Sequence, residues 1–462
     1  MVTVGKSSSP RRLRAGSGTG LLLLATVLAA AALPLAAAEP TVEIVAPSAA
    51  TEVADRVAVR GGLVSVSQSR MMTDAVIRSA RAAGAEAGAA AVGGSGYSVG
   101  LTWVRRGDVV VQDASADAGL WQYPMSVTVF PVDALTALMG SEVRAAVANG
   151  MVAMSQSAAA LRKAAVGDTI GLVAVSGAVV PFTVGVIAPD DRVGGTEIVM
   201  SPEQSQALGV GEITRVLIYG SFSRNALDAA LNARGLVDGT SVRVVRSWDA
   251  RSPDSTVGMV RTKQLLGEFA YRLTDTTDGV EVDPGWVATQ LPAALETYAS
   301  VAVRARCHVR IRADLQAALT EVDEAGLAGA IDLGNTNTYG GCFNPRFNRQ
   351  TGNLGFLSRH AWAQALDMNT MTNAQGRTPQ MDCRVVRIFR KHKFAWGGNF
   401  LTPDGMHFEW VGERRDTWQY PSEFCPNLPI SGAARRSEPP SMLAVMFADD
   451  AWLELDDHRG AP

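Results

Sequence analysis

From Thr41 to Ser247 the chain contains neither a histidine nor a cysteine, and its acids are scattered. Without imidazole or thiolate, this half has no ligand set for a transition metal and no histidine base, so a hydrolytic site is not expected there. The whole chain has only four cysteines, Cys307, Cys342, Cys383 and Cys425, all in the last third and none in a C-x-x-C pair. An even number in an exported domain favours two disulfides over a thiolate metal site, with three pairings open. A large excess of one charge sign is also missing: the formal net charge is −3, which gives no basic footprint for nucleic acid. After residue 40 no apolar run is long enough to cross a bilayer.

The one long apolar run is at the start. Arg11, Arg12 and Arg14 precede GLLLLATVLAAAALPLAAA, which ends in small residues before Glu39 and Pro40. A basic stretch, an apolar stretch and an Ala-x-Ala site in that order predict a secretory signal over 1–38, cleaved after Ala38. The alternative is an uncleaved signal anchor, since Ala15 to Ala38 carries no charge. Either way the remainder is expected outside the cytoplasm, secreted or attached to the cell envelope.

At 462 residues the chain exceeds one ordinary domain. Residues 41–247 read as α/β: VVVQ, MSVTVFPV, TIGLVAV, PFTVGVIA and TRVLIYG are strand-like runs, and TDAVIRSARAAGA and SQSAAALRKAA are helical patterns. Residues 248–284 mix charge, Thr, Gly and Pro and read as a linker leading into the next domain. In ADLQAALTEVDEAGL, Leu315, Leu319 and Val322 follow helical spacing, with Gly326 placed to stop the helix; AIDLG then reads as a strand. Residues 428–462 read as a tail, with a short helix in AVMFADDAWLEL.

Chemistry gathers around two of the five histidines. After His360, small and large residues alternate as far as Asp367, a strand pattern, and GMHFEW alternates in the same way around His407 and Glu409. Neighbouring strands would bring His360, Asp367 and His407 to one point. Two imidazoles and a carboxylate suit a catalytic zinc with one open position. A hydrolase needs a base beside that position, and spacing alone leaves Asp404 and Glu409 as rivals. FAWGGNF, with Trp396, has the composition of a shaped cleft. His392 reads as a solvated surface residue, His308 as lying on a strand, and His458 as part of the tail.

YGGCFNPR, SRHAWAQALDMN and FAWGGNF…PDGMHFEW resemble the zinc D-Ala-D-Ala carboxypeptidase and peptidoglycan endopeptidase family, which includes VanX- and VanY-type enzymes and L-alanyl-D-glutamate endolysins. The resemblance covers roughly 285–425. It implies an α+β fold: a small zinc peptidase domain over 285–427 with a central antiparallel sheet, of the hedgehog/DD-peptidase type, preceded by a separate α/β extracytoplasmic domain. On the motif S-x-H-x-x-G-x-A-x-D followed by [DE]-x-x-H, it implies His360, Asp367 and His407 as Zn2+ ligands and Asp404 as catalytic base. Arg346, with Arg349 as the fallback, would steady the substrate or the oxyanion. Ser358, Trp396 and Glu409 would support the site or line it. The implied substrate is a peptidoglycan stem peptide, with the cleaved bond open between D-Ala-D-Ala and L-Ala-D-Glu. A non-catalytic wall-binding or regulatory protein with a degenerate peptidase domain is the alternative.

The family glycine is Ala363 here, which is harmless if the backbone is ordinary strand and strained if φ is positive. Ordinary strand is the expectation. Separately, AVGDTIGLVAVSGAVVPFTVGVIAPDDRVGGTEIVMSPEQSQALGV resembles the extracytoplasmic core domain of MacB- and FtsX-type ABC permeases. That resemblance implies a membrane or cell-wall protein partner bound through 41–247.

Overall fold

The β-branched runs of the first half become strands of one large sheet. In the computed structural model the described residues are 60–430, apart from 69–71, 115–120, 240, 277, 293–295, 299–300, 333–338 and 349–355. The expected signal segment, Arg349, His458 and the tail helix lie outside them. Among the described residues no helix is long and apolar enough to cross a membrane.

Ten strands make the first sheet: β1 (Arg60–Gln68), β2 (Ala90–Arg106), β3 (Val109–Asp113), β4 (Tyr123–Val129), β5 (Val152–Ser155), β6 (Thr169–Val173), β7 (Val179–Ala188), β8 (Ile198–Met200), β9 (Arg215–Ser223) and β10 (Val242–Arg246). Their order is β10–β1–β9–β2–β4–β8–β5–β7–β6, with β3 on β2. β6 pairs back onto β2 as well, so the six strands from β2 round to β6 close into a barrel-like ring. The expected helices are present as Asp74–Glu86, capped by the Thr73 hydroxyl accepting from the Val76 N–H, and Gln156–Arg162.

β2 escaped the strand pattern because it is rich in glycine. A Cβ on Gly94 would lie 2.1 Å from the Phe130 ring, and one on Gly100 1.6 Å from Gln122 Oε1. The missing side chains let larger ones lie across the strand.

The second half is built differently. Tyr271–Leu273 (β11) pairs with Val280–Val282 (β12), and Glu296–Tyr298 (β13) with Val301–Ala305 (β14). A four-stranded antiparallel sheet follows, in the order β15 (Tyr339–Gly341), β16 (Ala365–Met368), β18 (His407–Trp410), β17 (Phe394–Trp396). Helix Arg312–Glu324 buries Leu315, Leu319 and Val322 as its spacing predicts, and Gly326 follows its end at φ +69°. Of AIDLG, Ala330 ends a 3₁₀ turn, Ala328–Ala330, Ile331 and Asp332 lie in no strand, and Leu333 and Gly334 are outside the described residues. Helix Cys383–Lys391 adds Val385, Val386 and Phe389 to the same core. The cysteines pair as Cys307–Cys342 and Cys383–Cys425.

The stretch expected as a linker is folded. Helix Met259–Leu266 sends Met259 and Leu266 into the core of the second half, together with Phe269 and Tyr271. Its amphipathic pattern is hidden because Thr262 and Lys263 are buried too. Lys263 Nζ sits 2.6 Å from both Glu197 Oε1 and Glu268 Oε1 and also donates to the Pro124 carbonyl; Arg162 pairs with Glu268. Nearby, buried Asp254 accepts from Arg390 Nε at 2.8 Å and from the Trp396 N–H at 3.1 Å. The Lys263 cluster therefore joins this stretch to the first sheet and the Asp254 pair joins it to the second half, each charge paired as burial demands. All described residues fall within one compact unit, Arg56–Pro462.

Candidate metal centre

The site is built on a cross-strand pair. β16 and β18 set Asp367 directly opposite His407, and Ala365 opposite Glu409, on one face of the small sheet. Leu366 and Phe408 point to the other face, into the core. Strand alternation thus delivers Asp367, His407 and Glu409 as the sequence pattern predicts.

His360 arrives by a different route. Arg359–Trp362 is a 3₁₀ turn, not a strand, and the Ser358 hydroxyl caps it by accepting from the His360 N–H at 3.3 Å. The Ala-Trp-Ala-Gln alternation imitates a strand, but Ser358 starts a turn and Ala363 ends it in the left-handed region, φ 51° and ψ 31°. The expectation of ordinary strand at Ala363 is therefore corrected: this is a conformation glycine adopts freely and alanine at a cost of about 1–2 kcal/mol. The turn persists because its surroundings hold it. The His308 N–H donates to the Ala363 carbonyl at 3.1 Å, and the Asn344 N–H to the His360 carbonyl at 3.2 Å.

The turn brings the three side chains together. One donor atom from each of His360, Asp367 and His407 lies within 4.8 Å of the others. Asp367 Oδ1 is 3.2 Å from His360 Nε2 and 3.3 Å from His407 Nδ1. Burial would raise the Asp367 carboxyl, but the charge of His360 and hydrogen bonds from both imidazoles overcome this and hold it well below the usual carboxylate range. The outward nitrogens face oxygens, at hydrogen-bond distance for His360 and beyond it for His407. His360 Nδ1 lies 3.1 Å from the Cys342 carbonyl, so Nε2 is the ring nitrogen that faces Asp367. His407 Nε2 faces Glu409 Oε2 at 3.7 Å.

These residues fit a zinc ion. Two nitrogens and one carboxylate oxygen converge on one point, and each imidazole has an acceptor on its far side, as orientation of a metal ligand requires.

Glu409 stands on the Nε2 side of His407, away from the Nδ1 that faces Asp367. Arg359 Nε lies 3.4 Å from Glu409 Oε1, and Gln364 Nε2 donates to the same oxygen at 3.4 Å. Arg359 also donates to the Val257 carbonyl at 2.6 Å, so the support of this acid reaches back to the folded linker. Arg359 and Gln364 were not singled out from sequence; their acid partner is 50 and 45 positions away, and no local pattern shows that.

Asp404 is buried and precedes β18 by one turn. Its carbonyl accepts from the His407 N–H at 3.2 Å, and its own N–H donates to the Gly397 carbonyl at 2.8 Å. Gly397 must be glycine: a Cβ would lie 2.5 Å from the Asp404 carbonyl oxygen and 3.0 Å from His407 Cβ. Trp396 is not on the ligand face. It pairs with Phe408 on the core face, and its indole N–H donates to the Gly405 carbonyl at 2.8 Å, bracing the loop between Asp404 and His407. The Arg346 carbonyl accepts from the Ser358 N–H at 2.9 Å, which ties that segment to the start of the His360 turn.

His308 and His392 differ from their sequence expectations. His308 is buried off any strand, with Nε2 3.1 Å from the Leu266 carbonyl and Nδ1 accepting from the Arg310 N–H; burial pushes it down to about 4. His392 is half-buried rather than solvated, 2.7 Å from Glu321 Oε2.

No curated protein matches the chain. Among solved structures it is similar to the extracellular domain of the noncanonic ABC-type transporter YknZ from Gram-positive bacteria, at 10% identity and a TM-score of 0.26, over 40% of this chain and 99% of that one. A likeness at that score carries no argument about fold or partner. Residues 351–410, which contain His360, Asp367, Asp404, His407 and Glu409, match the model of the D-alanyl-D-alanine carboxypeptidase family, so the resemblance read from the C-terminal motifs is borne out there.

Proposed function

We propose that this protein is an exported zinc metallopeptidase that hydrolyses peptidoglycan stem peptides, at D-Ala-D-Ala or at an L-Ala-D-Glu type bond. The observation that carries the reading is the convergence of His360, Asp367 and His407 within 4.8 Å, inside the segment that matches a carboxypeptidase family. His360, Asp367 and His407 would hold the ion. When bound, zinc supplies Lewis-acid polarisation of a carbonyl and acidifies water.

The chain's own groups do the rest. Asp404 takes the proton from the attacking water and returns it to the leaving amine, since it sits one turn from His407 and Glu409 is engaged by Arg359 and Gln364. Arg346 steadies the developing oxyanion. Glu409 and the Cys342 carbonyl fix the two imidazoles. The second half is read as a small peptidase domain of the hedgehog/DD-peptidase type, and residues 41–247 as a separate α/β domain that positions it or binds an envelope partner. The basic and apolar N-terminus and the two disulfides support export.

Mass spectrometry of muropeptides incubated with the full chain and zinc tests this reading. Released D-Ala or a split stem peptide is expected, and Asp404→Asn should lower the rate by about 10²–10⁴-fold while keeping the metal. Unchanged muropeptides, or undiminished hydrolysis by the variant, would overturn it. The strained Ala363 favours a second reading, a wall-binding protein with a degenerate site. That reading predicts binding to peptidoglycan without cleavage.

A further inference from the structure

The Gly397–Asn399 turn seats both Asp404 and His407, yet it has little of its own to hold it. A 3₁₀ turn of three residues is weakly self-supporting, and its one internal closure is the Phe400 N–H donating to the Gly397 carbonyl at 2.9 Å. The same carbonyl takes the Asp404 N–H, and the Phe400 ring lies 5.9 Å from the His407 ring. A shift of this turn would therefore move Asp404 directly, whereas His407 is also held by its pairing with Asp367 across β16 and β18.

What fixes the turn comes from outside it and converges on Asn399. Its side-chain N–H donates to Asp254 Oδ2 at 2.8 Å and to the Phe424 carbonyl at 2.9 Å, and its Oδ1 accepts from the Phe424 N–H at 2.9 Å. The backbone carbonyl of Asn399 accepts from Arg243, a residue of β10 in the ten-stranded sheet, at 3.1 Å. The Arg243 side chain is 15% exposed, and its Nε lies 3.4 Å from Asp238, so the guanidinium is aimed and partly desolvated. It lines both a cavity of about 620 Å3 against the first sheet and one of about 170 Å3 beside Asn399, Phe400 and Pro403.

We propose that Arg243, from the first sheet, is a positioning residue for Asp404: by donating to the Asn399 carbonyl it holds the turn on which Asp404 and His407 are seated. The proposal rests on the reading of Asp404 as the base. It makes the histidine-free half of the chain a working part of the site, 161 positions before Asp404 in sequence.

The test uses the full chain with Arg243→Ala and Arg243→Lys, assayed for hydrolysis of a D-Ala-D-Ala-ended peptide and for amide hydrogen exchange. In Arg243→Ala, kcat should fall roughly tenfold with KM and zinc content little changed, because a small displacement of the base acts on the transition state. Exchange at the Phe400 and Asp404 amides should quicken while β16 stays protected, and Arg243→Lys should recover most of both. Unaltered exchange at those two amides, or exchange quickened equally in β16, would overturn the proposal, whatever kcat does. If the parent chain hydrolyses nothing, the functional reading fails and exchange alone decides the positioning claim. Should Arg243→Ala not fold, Arg243→Gln replaces it under the same criteria.

Discussion

The two sheets solve the same folding problem in opposite ways. The first has ten strands, up to seventeen residues long, and closes a ring on itself, so its cores hold with ordinary aliphatic packing and no covalent cross-link among the described residues. The second has four strands of three or four residues, too short to be stable alone. It is stapled by two disulfides and braced by buried charges, and, with the His360 turn beside it, it carries the three candidate ligands. The irregular part holds the chemistry because a site needs turns that regular strands do not offer, and long-range contacts stabilise those turns.

If this contrast is right, the largest stability effect comes from breaking the Lys263 charge cluster. Lys263→Ala leaves Glu197 and Glu268 buried with less compensation and should cost about 3–5 kcal/mol. Hydrogen exchange should register the loss in both sheets. Loss confined to the second sheet would mean that the first does not depend on the contact.

Next comes the staple behind His360. The loop between Cys307 and Cys342 spans 35 residues, so replacing both by serine should cost about 2–4 kcal/mol in urea unfolding. Because the Cys342 carbonyl orients His360, zinc affinity should also fall roughly tenfold in a calorimetric titration. Lost stability with undiminished zinc affinity would separate the staple from the site.

The smallest effect sharpens the contrast at one residue. Ala363→Gly removes a left-handed alanine and should stabilise the chain by up to about 1 kcal/mol, read as a rise in Tm. A fall would show that the alanine methyl contributes more packing than its backbone loses.

These sites also show what a sequence reveals. Strand alternation placed Asp367, His407 and Glu409 on one face, because a period of two is local information. The His360 turn imitates a strand because small and large residues alternate there by coincidence, and only the Ser358 cap betrays it. The disulfide pairing, the Arg359–Glu409 contact and the burial of Lys263 and Asp254 were not legible, since each depends on a partner far along the chain. A buried lysine or aspartate looks like a surface residue until its partner is placed. For the same reason 248–284 resembled a linker, although much of it is core and charge cluster.

The most direct test of the central claim is the zinc stoichiometry of the purified full chain, measured by mass spectrometry of the metal after dialysis, beside Asp367→Ala. The account predicts one zinc per chain in the parent and none in the variant, in which the carboxylate between the two imidazoles is gone. Zinc absent from the parent, or retained equally by Asp367→Ala, would contradict it.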